Sequence, residues 1–569
     1  MRSVPLMMCL LMTLSPTPAP AQINEPIFVD RTRDFGLDFT HFNGMVGQYY
    51  ISETLGSGCA FLDYDNDGDL DIYLVQGNWL DKTTKKSPPL PLGDRLFRND
   101  LTIAKDGSRS VHFVDVTASS GIVAQGNGMG VAVADYDNDG WLDLYITNLG
   151  ANQLWRNNAN GTFSDVTAAS GTDDKRWGVS AVFLDFDGDR LLDLYVANYI
   201  DFNLANHKIC PTKYGTDGYC GPSAYADAPD RLFRNLGGGR FEDVTFSSGI
   251  DKALGSGLGV IAADFDGDSW LDIYVANDAD HNFLWLNQKD GTFRNDALMA
   301  GCAVNADGAP EASMGVDAED FDGDGDIDLF MTHLAGETHT LYLNDGTGLF
   351  EDKSQQAGVG MATKPATGFG TAWFDYDNDG WLDLLIANGS VFAIEALLRA
   401  KDPYPLHQPN QLFHNRGDGT LQEVSQQAGP AFKLSEVSRG AAFGDIDNDG
   451  DTDVLIHNNH GLARILENKL GNKQHWLGIR LLGPDKKQDL VGATVQLLRD
   501  GQAPLYRRVK RGASFASSND ARVLFGLGSS SAPVSLKITY PGGISETWSD
   551  LKPDRYLTLV QGTGKGANQ

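Results

Sequence analysis

The chain has 569 residues, a length that at roughly 150 residues per domain means three or four domains unless a repeat absorbs it. Acidic residues outnumber basic ones 76 to 45, for a net charge of -31. That balance argues against a nucleic-acid binder, which needs clustered Lys and Arg, and leaves cations or positively charged surfaces as natural partners.

The first segment reads as a signal peptide, residues 1–21. Arg2 precedes an apolar run, Leu6 to Leu14, and Ala19-Pro20-Ala21 offers a small-x-small cleavage site before Gln22. The run is too short to span a bilayer, and no later stretch reaches about 18 apolar residues. Cys9 has no small residue before it, which argues against a lipid anchor. The expected location is therefore secreted or periplasmic, with no membrane span. In an oxidising compartment Cys210 and Cys220 can close the loop CPTKYGTDGYC; the alternative is two free thiols. Whether Cys59 and Cys302 pair stays open.

A nonapeptide of the form D-x-D-x-D, with Asp again at the ninth place, then returns seven times. The four carboxylates are Asp63, Asp65, Asp67 and Asp71 in the first copy, and Asp135, Asp137, Asp139 and Asp143 in the second. The third has Asp185, Asp187, Asp189 and Asp193; the fourth has Asp264, Asp266, Asp268 and Asp272. The fifth has Asp320, Asp322, Asp324 and Asp328, and the sixth Asp375, Asp377, Asp379 and Asp383. The seventh has Asp445, Asp447, Asp449 and Asp453. A Gly/Ala/Val-rich strand precedes each loop and a short apolar strand such as LDLYITN follows it. A strand such as QLWRN comes next, and a third of the form Phe113-Val-Asp115-Val-Thr117 closes the unit. Four short strands per unit describe an antiparallel blade, and seven units a seven-bladed β-propeller. A lone copy of the closing strand, Phe28-Val-Asp30-Arg-Thr32, stands near the N-terminus, while the seventh unit lacks one after Asn468. The N-terminal strand is expected to complete that blade and remove an open edge.

Carboxylates at positions 1, 3, 5 and 9 of a tight loop, with a carbonyl near position 7, make an all-oxygen shell suited to Ca²⁺. Zn²⁺ would want His or Cys, which the loops lack. Position 4 is Asn or Gly throughout, as a left-handed turn requires, whereas position 6 departs from Gly at Arg190 and Ser269. Those two loops are expected to bind more weakly. Up to seven calcium ions are implied. An EF-hand is excluded by context: there is no Glu at position 12, and the flanks alternate like strands.

The repeats resemble the FG-GAP/VCBS repeats of integrin α-subunit propellers. Together with a C-terminal segment beginning HWLGIRLLG at His475, they resemble the cartilage acidic protein family with its ASPIC/UnbV domain. That resemblance implies secretion, calcium binding and extracellular interaction, and by itself establishes no reaction. It divides the chain into a signal peptide (1–21), a propeller (22–470) and an ASPIC/UnbV-like β domain (471–569). From Gly471 onward 14 Lys and Arg face 7 Asp and Glu, net +7. The basic cluster Arg507, Arg508, Lys510 and Arg511 suits either an anionic partner or the acidic propeller itself.

The fifth inner strand stands apart. One and three places before the first loop Asp, six units carry apolar or small residues, and the fifth carries Glu319 and Asp317. With His333 they are candidates for an acid/base or metal-assisted site at the ring centre; the alternative is a further calcium ligand set or a wet channel wall. Arg416-Gly417-Asp418 spells an integrin-recognition tripeptide but falls in a turn that the blades share. His457 and His460 read as a solvated loop. No nucleophile elbow, phosphate loop or dinucleotide fingerprint occurs. The reading carried forward is a binding or adhesion module for an extracellular protein or glycan. The alternative is an enzyme of lyase or isomerase type with its site at the propeller centre. On either reading the C-terminal domain is expected to be dispensable for ring closure.

Overall fold

The computed structural model describes residues 25–81, 92–212, 215 and 217–566. The expected signal peptide, its cleavage site and Cys9 lie outside the described residues. Described residues are all-β apart from short helical turns, and none of their helices is long and apolar enough to cross a membrane.

Seven antiparallel four-strand units run outward from an inner strand, and each is built the same way. The first comprises Cys59–Leu62, Asp71–Leu74, Arg95–Asn99 and Phe113–Asp115. The remaining inner strands are Gly128–Ala134, Gly178–Leu184, Gly257–Ala263, Val316–Glu319, Gly368–Phe374 and Ser438–Gly444. Each inner strand neighbours the next, and Ser438–Gly444 neighbours Cys59–Leu62, so the inner wall is a closed cycle. The unit at the seam takes its outer strand from the N-terminus: Phe28 pairs with Asn468 and Asp30 with Leu466, antiparallel. Phe28 is fully buried there against Phe374, Tyr376 and Phe432. Apolar faces of adjacent sheets form the cores between them, such as Leu144, Ile146 and Trp155 against Tyr73 and Leu96.

A repeated piece of local chemistry locks neighbouring units. The strand read as QLWRN or RLFRN ends in an Asn in every unit. Its side-chain amide donates to the backbone carbonyl at loop position 2 of the preceding unit: Asn157 to Tyr64, Asn235 to Tyr136, Asn287 to Phe186, Asn344 to Phe265, Asn415 to Phe321 and Asn468 to Tyr376. Asn99 does the same to Ile446 across the seam at 2.9 Å. These asparagines are buried, so an unmade bond would leave a costly polar group.

From His475 onward the chain forms two more sheets. Val523–Gly528, His475–Leu482 and Arg555–Val560 make one, with the last pair parallel. Leu505–Arg508, Thr494–Leu498, Val534–Thr539, Ser545–Leu551 and Lys565–Gly566 make the other. Leu477, Ile479, Val495, Phe525, Leu536 and Ile538 fill the space between them.

Candidate metal loops and the filled ring centre

Each Asp loop leaves the end of an inner strand, so all seven lie on one face of the ring. The turn needs left-handed backbone at two places. Position 4 has positive φ in every copy, from 55° at Asn378 to 82° at Gly323, and position 6 does too. Arg190 (φ 70°) and Ser269 (φ 71°) hold the same conformation as the glycines of the other loops, at roughly 1–2 kcal/mol of backbone strain. This tight turn aims backbone N–H groups at the first carboxylate: Asp67 and Gly68 at Asp63, Asp139 and Gly140 at Asp135, Asp379 and Gly380 at Asp375.

The ninth-position Asp has a task in the fold that the sequence did not reveal. In all seven loops one carboxylate oxygen accepts the N–H of the strand-ending Asn, at 2.7–2.9 Å. The other accepts the N–H at position 2. These residues are buried, and burial holds the carboxyls of Asp71, Asp143, Asp328 and Asp453 well above the usual carboxylate range. The loop Asp and the interlocking Asn are thus one hydrogen-bonded unit. A strand-ending Asn in every copy was the available signal.

The oxygens of positions 1, 3 and 9 come within 4.8 Å of one another in the loops beginning at Asp63, Asp135, Asp185 and Asp264. Buried oxygens of Asp65, Asp322 and Asp377, all at position 3, have no hydrogen-bond partner. An all-oxygen cluster with spare lone pairs fits a hard divalent cation. The sixth loop adds His414, whose Nδ1 lies 3.2 Å from Asp383 and 3.5 Å from Asp377. Arg156 and Arg234 take the same strand position beside Asp137 and Asp187, at 3.0 and 2.7 Å.

The C-terminal domain sits on this loop face. Gly528 N donates to Asn378 O at 2.7 Å, Gly542 N to Ser269 O at 2.8 Å, and Arg507 to Gly380 O at 3.0 Å. Arg522 donates to Asn448 Oδ1 at 2.6 Å and Asp445 O at 2.9 Å. Beneath it Asp375 and Asp445 are only 4% and 3% exposed.

From this domain residues 508–520 pass into the ring and meet every inner strand. Ser514 and Val316 exchange both backbone hydrogen bonds, and Val131 N donates to Ala516 O. Cys59 N donates to Ser517 Oγ, Thr371 N to Ser514 Oγ, Phe443 N to Asn519 Oδ1, and Ala516 N to Ser180 Oγ. Arg508 reaches Ala262 O. The inner strands' free edge groups are thereby satisfied. Close approach explains the small residues on both sides: a Cβ at Gly58 would stand 2.1 Å from Ala516 O, and one at Gly440 2.8 Å from Ser517 Oγ. Phe515 ends the insertion, fully buried against Phe369, Met129, Val179 and Leu258. From the opposite face Ile51 and Leu55 pack onto the same cluster.

The ring was expected to close without this domain, and its inner strands do neighbour one another in a cycle, but an internal segment of the domain, residues 508–520, fills the centre. The basic cluster reads the same way, with Arg507 and Arg508 on propeller carbonyls, Lys510 on propeller carboxylates and Arg511 on Asp489 at 2.6 Å. Asp317 and Glu319 do face the channel, but Lys510 Nζ lies 2.5 Å from Asp317 Oδ1 and 2.8 Å from Glu319 Oε1. His333 does not join them. It is buried beyond that strand, bonded to Ser313 and Thr338, and 3.8 Å from Glu311. His457 is not a solvated residue either: it is fully buried and bonded to Gly58 O.

On the face away from the loops, Cys210 and Cys220 form a disulfide, whereas Cys59 and Cys302 are free and buried. The insert they staple leans on the 43–56 loop: Tyr219 donates to Glu53 at 2.9 Å, and His207 meets Gln48 O at 2.9 Å. Burial pushes the Glu53 carboxyl up to about 7. Beside the insert a cleft of about 520 Å³ is lined by Trp177, Phe202, Leu204, Arg176, Asp201 and neighbouring residues.

An FG-GAP-like repeat family matches residues 135–196, 223–275, 264–331, 320–386 and 400–456, and the ASPIC and UnbV family matches 483–566. Fold and loops define the class: an FG-GAP-repeat β-propeller carrying an ASPIC and UnbV domain. Human cartilage acidic protein 1 is 26% identical over 511 residues, covering 86% of this chain and 69% of that protein. The Xenopus tropicalis protein is 26% identical over 553 residues, covering 92% and 75%. The chain is related to the cartilage acidic protein family over most of its length. Among solved structures, YCF48 bound to D1 peptide covers 80% of this chain and 100% of its own, at 9% identity and a TM-score of 0.40.

Proposed function

We propose that this protein is an exported, calcium-loaded, seven-bladed propeller (residues 22–470) with an ASPIC/UnbV domain (471–569), acting as a binding or adhesion module for an extracellular protein or glycan. Calcium, up to seven ions, is held by the carboxylates of the seven loops, with the ninth-position Asp serving both ion and fold. Each ion offsets the clustered negative charge and fixes the turn on which the C-terminal domain rests. The disulfide and the signal-like N-terminus support export into an oxidising compartment.

The observation that carries the binding reading is the filled ring centre. A lyase or isomerase at that centre needs an open pocket with free acid and base groups. Here Asp317 and Glu319 are engaged by Lys510, and the inserted segment occupies the space. What stays accessible is the opposite face, where the cleft beside the stapled insert combines apolar walls, the exposed Leu204 among them, with Arg176, Lys175 and Asp201. Apolar walls with a few polar groups are the usual makeup of a ligand site.

The test is binding of the calcium-saturated protein to immobilised matrix glycans and matrix proteins, with Phe202→Ala and Arg176→Glu as cleft variants. Binding lost in both variants, with the fold intact, supports the reading. A calcium-saturated protein that binds none of them, or variants that bind as well as wild type, would sink it.

A further inference from the structure

Lys510, Asp317 and Glu319 meet at the junction of the two domains, where Lys510 Nζ also lies 3.3 Å from Ala318 O. Asp317 is fully buried, Glu319 is 3% exposed, and the Lys510 side chain is 13% exposed. The amine nitrogen is 2.5 Å from Asp317 Oδ1, which is itself one bond from the carboxyl carbon. On its other side Glu319 Oε1 is 2.8 Å away, and Glu319 Oε2 has no hydrogen-bond partner. Two backbone N–H groups point at the Asp317 carboxyl: Ala318 N to Oδ1 and Trp373 N to Oδ2, both at 2.8 Å. The other six inner strands carry apolar or small residues at both acidic positions.

We propose that Lys510 and Asp317 join in an intramolecular isopeptide bond that covalently locks the C-terminal domain into the propeller, with Glu319 as the catalytic proton carrier. The step balances within the triad. Glu319 takes a proton from the Lys510 ammonium and passes it to Asp317 Oδ1, and the neutral amine attacks Cγ of the neutral acid. The new C–N bond gives a tetrahedral centre whose oxyanion, at Oδ2, is held by the Trp373 N–H. Glu319 then takes a second proton from the nitrogen and passes it to Oδ1. The Cγ–Oδ1 bond breaks and one water leaves. The amide keeps one hydrogen on Nζ, the ammonium and carboxylate charges disappear together, and Glu319 ends as the carboxylate it began as. No oxidant, metal or co-substrate is needed.

Physical chemistry favours the product. A buried ammonium between two buried carboxylates carries a desolvation penalty that its own attraction only partly offsets. Replacing one pair by an amide removes two of those charges. Reacting groups held in place by two folded domains also need no further loss of translational freedom to meet. The bond closes the long loop between the fifth inner strand and the inserted segment, which disfavours the unfolded chain and keeps the plug in place.

The test uses the full chain with a protease site added between Lys473 and Gln474, where the backbone is exposed. The wild-type protein should remain one covalent species after cleavage, reduction and denaturation. Before cleavage its mass should fall short of the same chain without the bond by one water, and a branched peptide should join the Asp317 and Lys510 segments. Lys510→Arg should separate into two fragments, and Glu319→Gln should be largely uncoupled while keeping both reacting ends. Wild-type protein that separates into two fragments of full sequence mass overturns the proposal and leaves an ion pair only. Should Lys510→Arg fail to fold, the wild-type mass and gel pattern still decide.

Discussion

The Tyr556 hydroxyl donates to Asp445 Oδ2 at 2.8 Å, and Gly450 N donates to the same oxygen from within the loop. The first carboxylate of the seventh loop is therefore held by both domains at once. Arg522 stacks on the Tyr556 ring at 4.4 Å and bonds the same loop's backbone. Whatever orders this loop also orders the surface on which the C-terminal domain sits.

Tyr556→Phe tests that coupling with a minimal change. It removes one hydrogen bond to a charged group, worth about 1.5–3 kcal/mol, and spares the ring packing. Chemical unfolding should show a loss in that range, and calcium affinity should change with it, because the two equilibria share Asp445. A variant with wild-type stability and calcium affinity would show that the contact carries no coupling.

Calcium removal should cost more. One site held at ten times its dissociation constant adds about 1.4 kcal/mol, and several add proportionally. Excess chelator should lower the melting temperature, and titration back with calcium should restore it in a graded way. An unchanged melting temperature in EDTA would mean that the loops are not a calcium scaffold.

Both ends of the chain should prove necessary. Phe28→Ala opens a cavity in the seam unit and should cost about 3–5 kcal/mol, and deleting residues 25–32 should leave Arg464–Asn468 as an open edge that aggregates. Deleting residues 471–569 should be at least as damaging, since the backbone N–H groups of Val316, Thr371 and Phe443 lose their acceptors and Asp317 and Glu319 lose Lys510. Size-exclusion chromatography and thermal melts check both. A monodisperse propeller with wild-type melting after the C-terminal deletion would contradict the plug's structural role.

Acid should destabilise the protein through buried histidines. Burial pushes the imidazoles of His333 and His457 down to about 4, against an ordinary value of 6.5. Each is neutral in the fold, so below pH 6.5 the unfolded chain takes up a proton that the folded chain refuses. Stability is then lost as pH falls from 6.5 toward 4, at up to about 1.4 kcal/mol per pH unit for each residue. Urea unfolding in saturating calcium should show a shallower decline for His457→Gln than for wild type between those values. Equal slopes would rule the residue out as a source of acid sensitivity.

Short-range information was enough for the repeat, its four strands and its loops. D-x-D-x-D-G fixes a turn through its own backbone needs, and alternation fixes strands, so both are legible within nine or ten residues. The N-terminal strand was legible as well, because a missing copy at one end matched a spare copy at the other. The interlocking asparagines were visible as letters, but their role was not, since each bonds to a carbonyl at least 70 residues away in the chain. What only the tertiary structure decided is the centre. Asp317 and Glu319 stood out as two carboxylates in an apolar pattern, and nothing local shows that a lysine 191 or more residues later lies between them. The GASFASS run carried no signal by itself; its small side chains make sense only inside a narrow ring whose free strand edges need partners. Charge balance announced that a basic domain could meet an acidic one, but the face, the depth and the residues were set by packing, which has no period in the sequence.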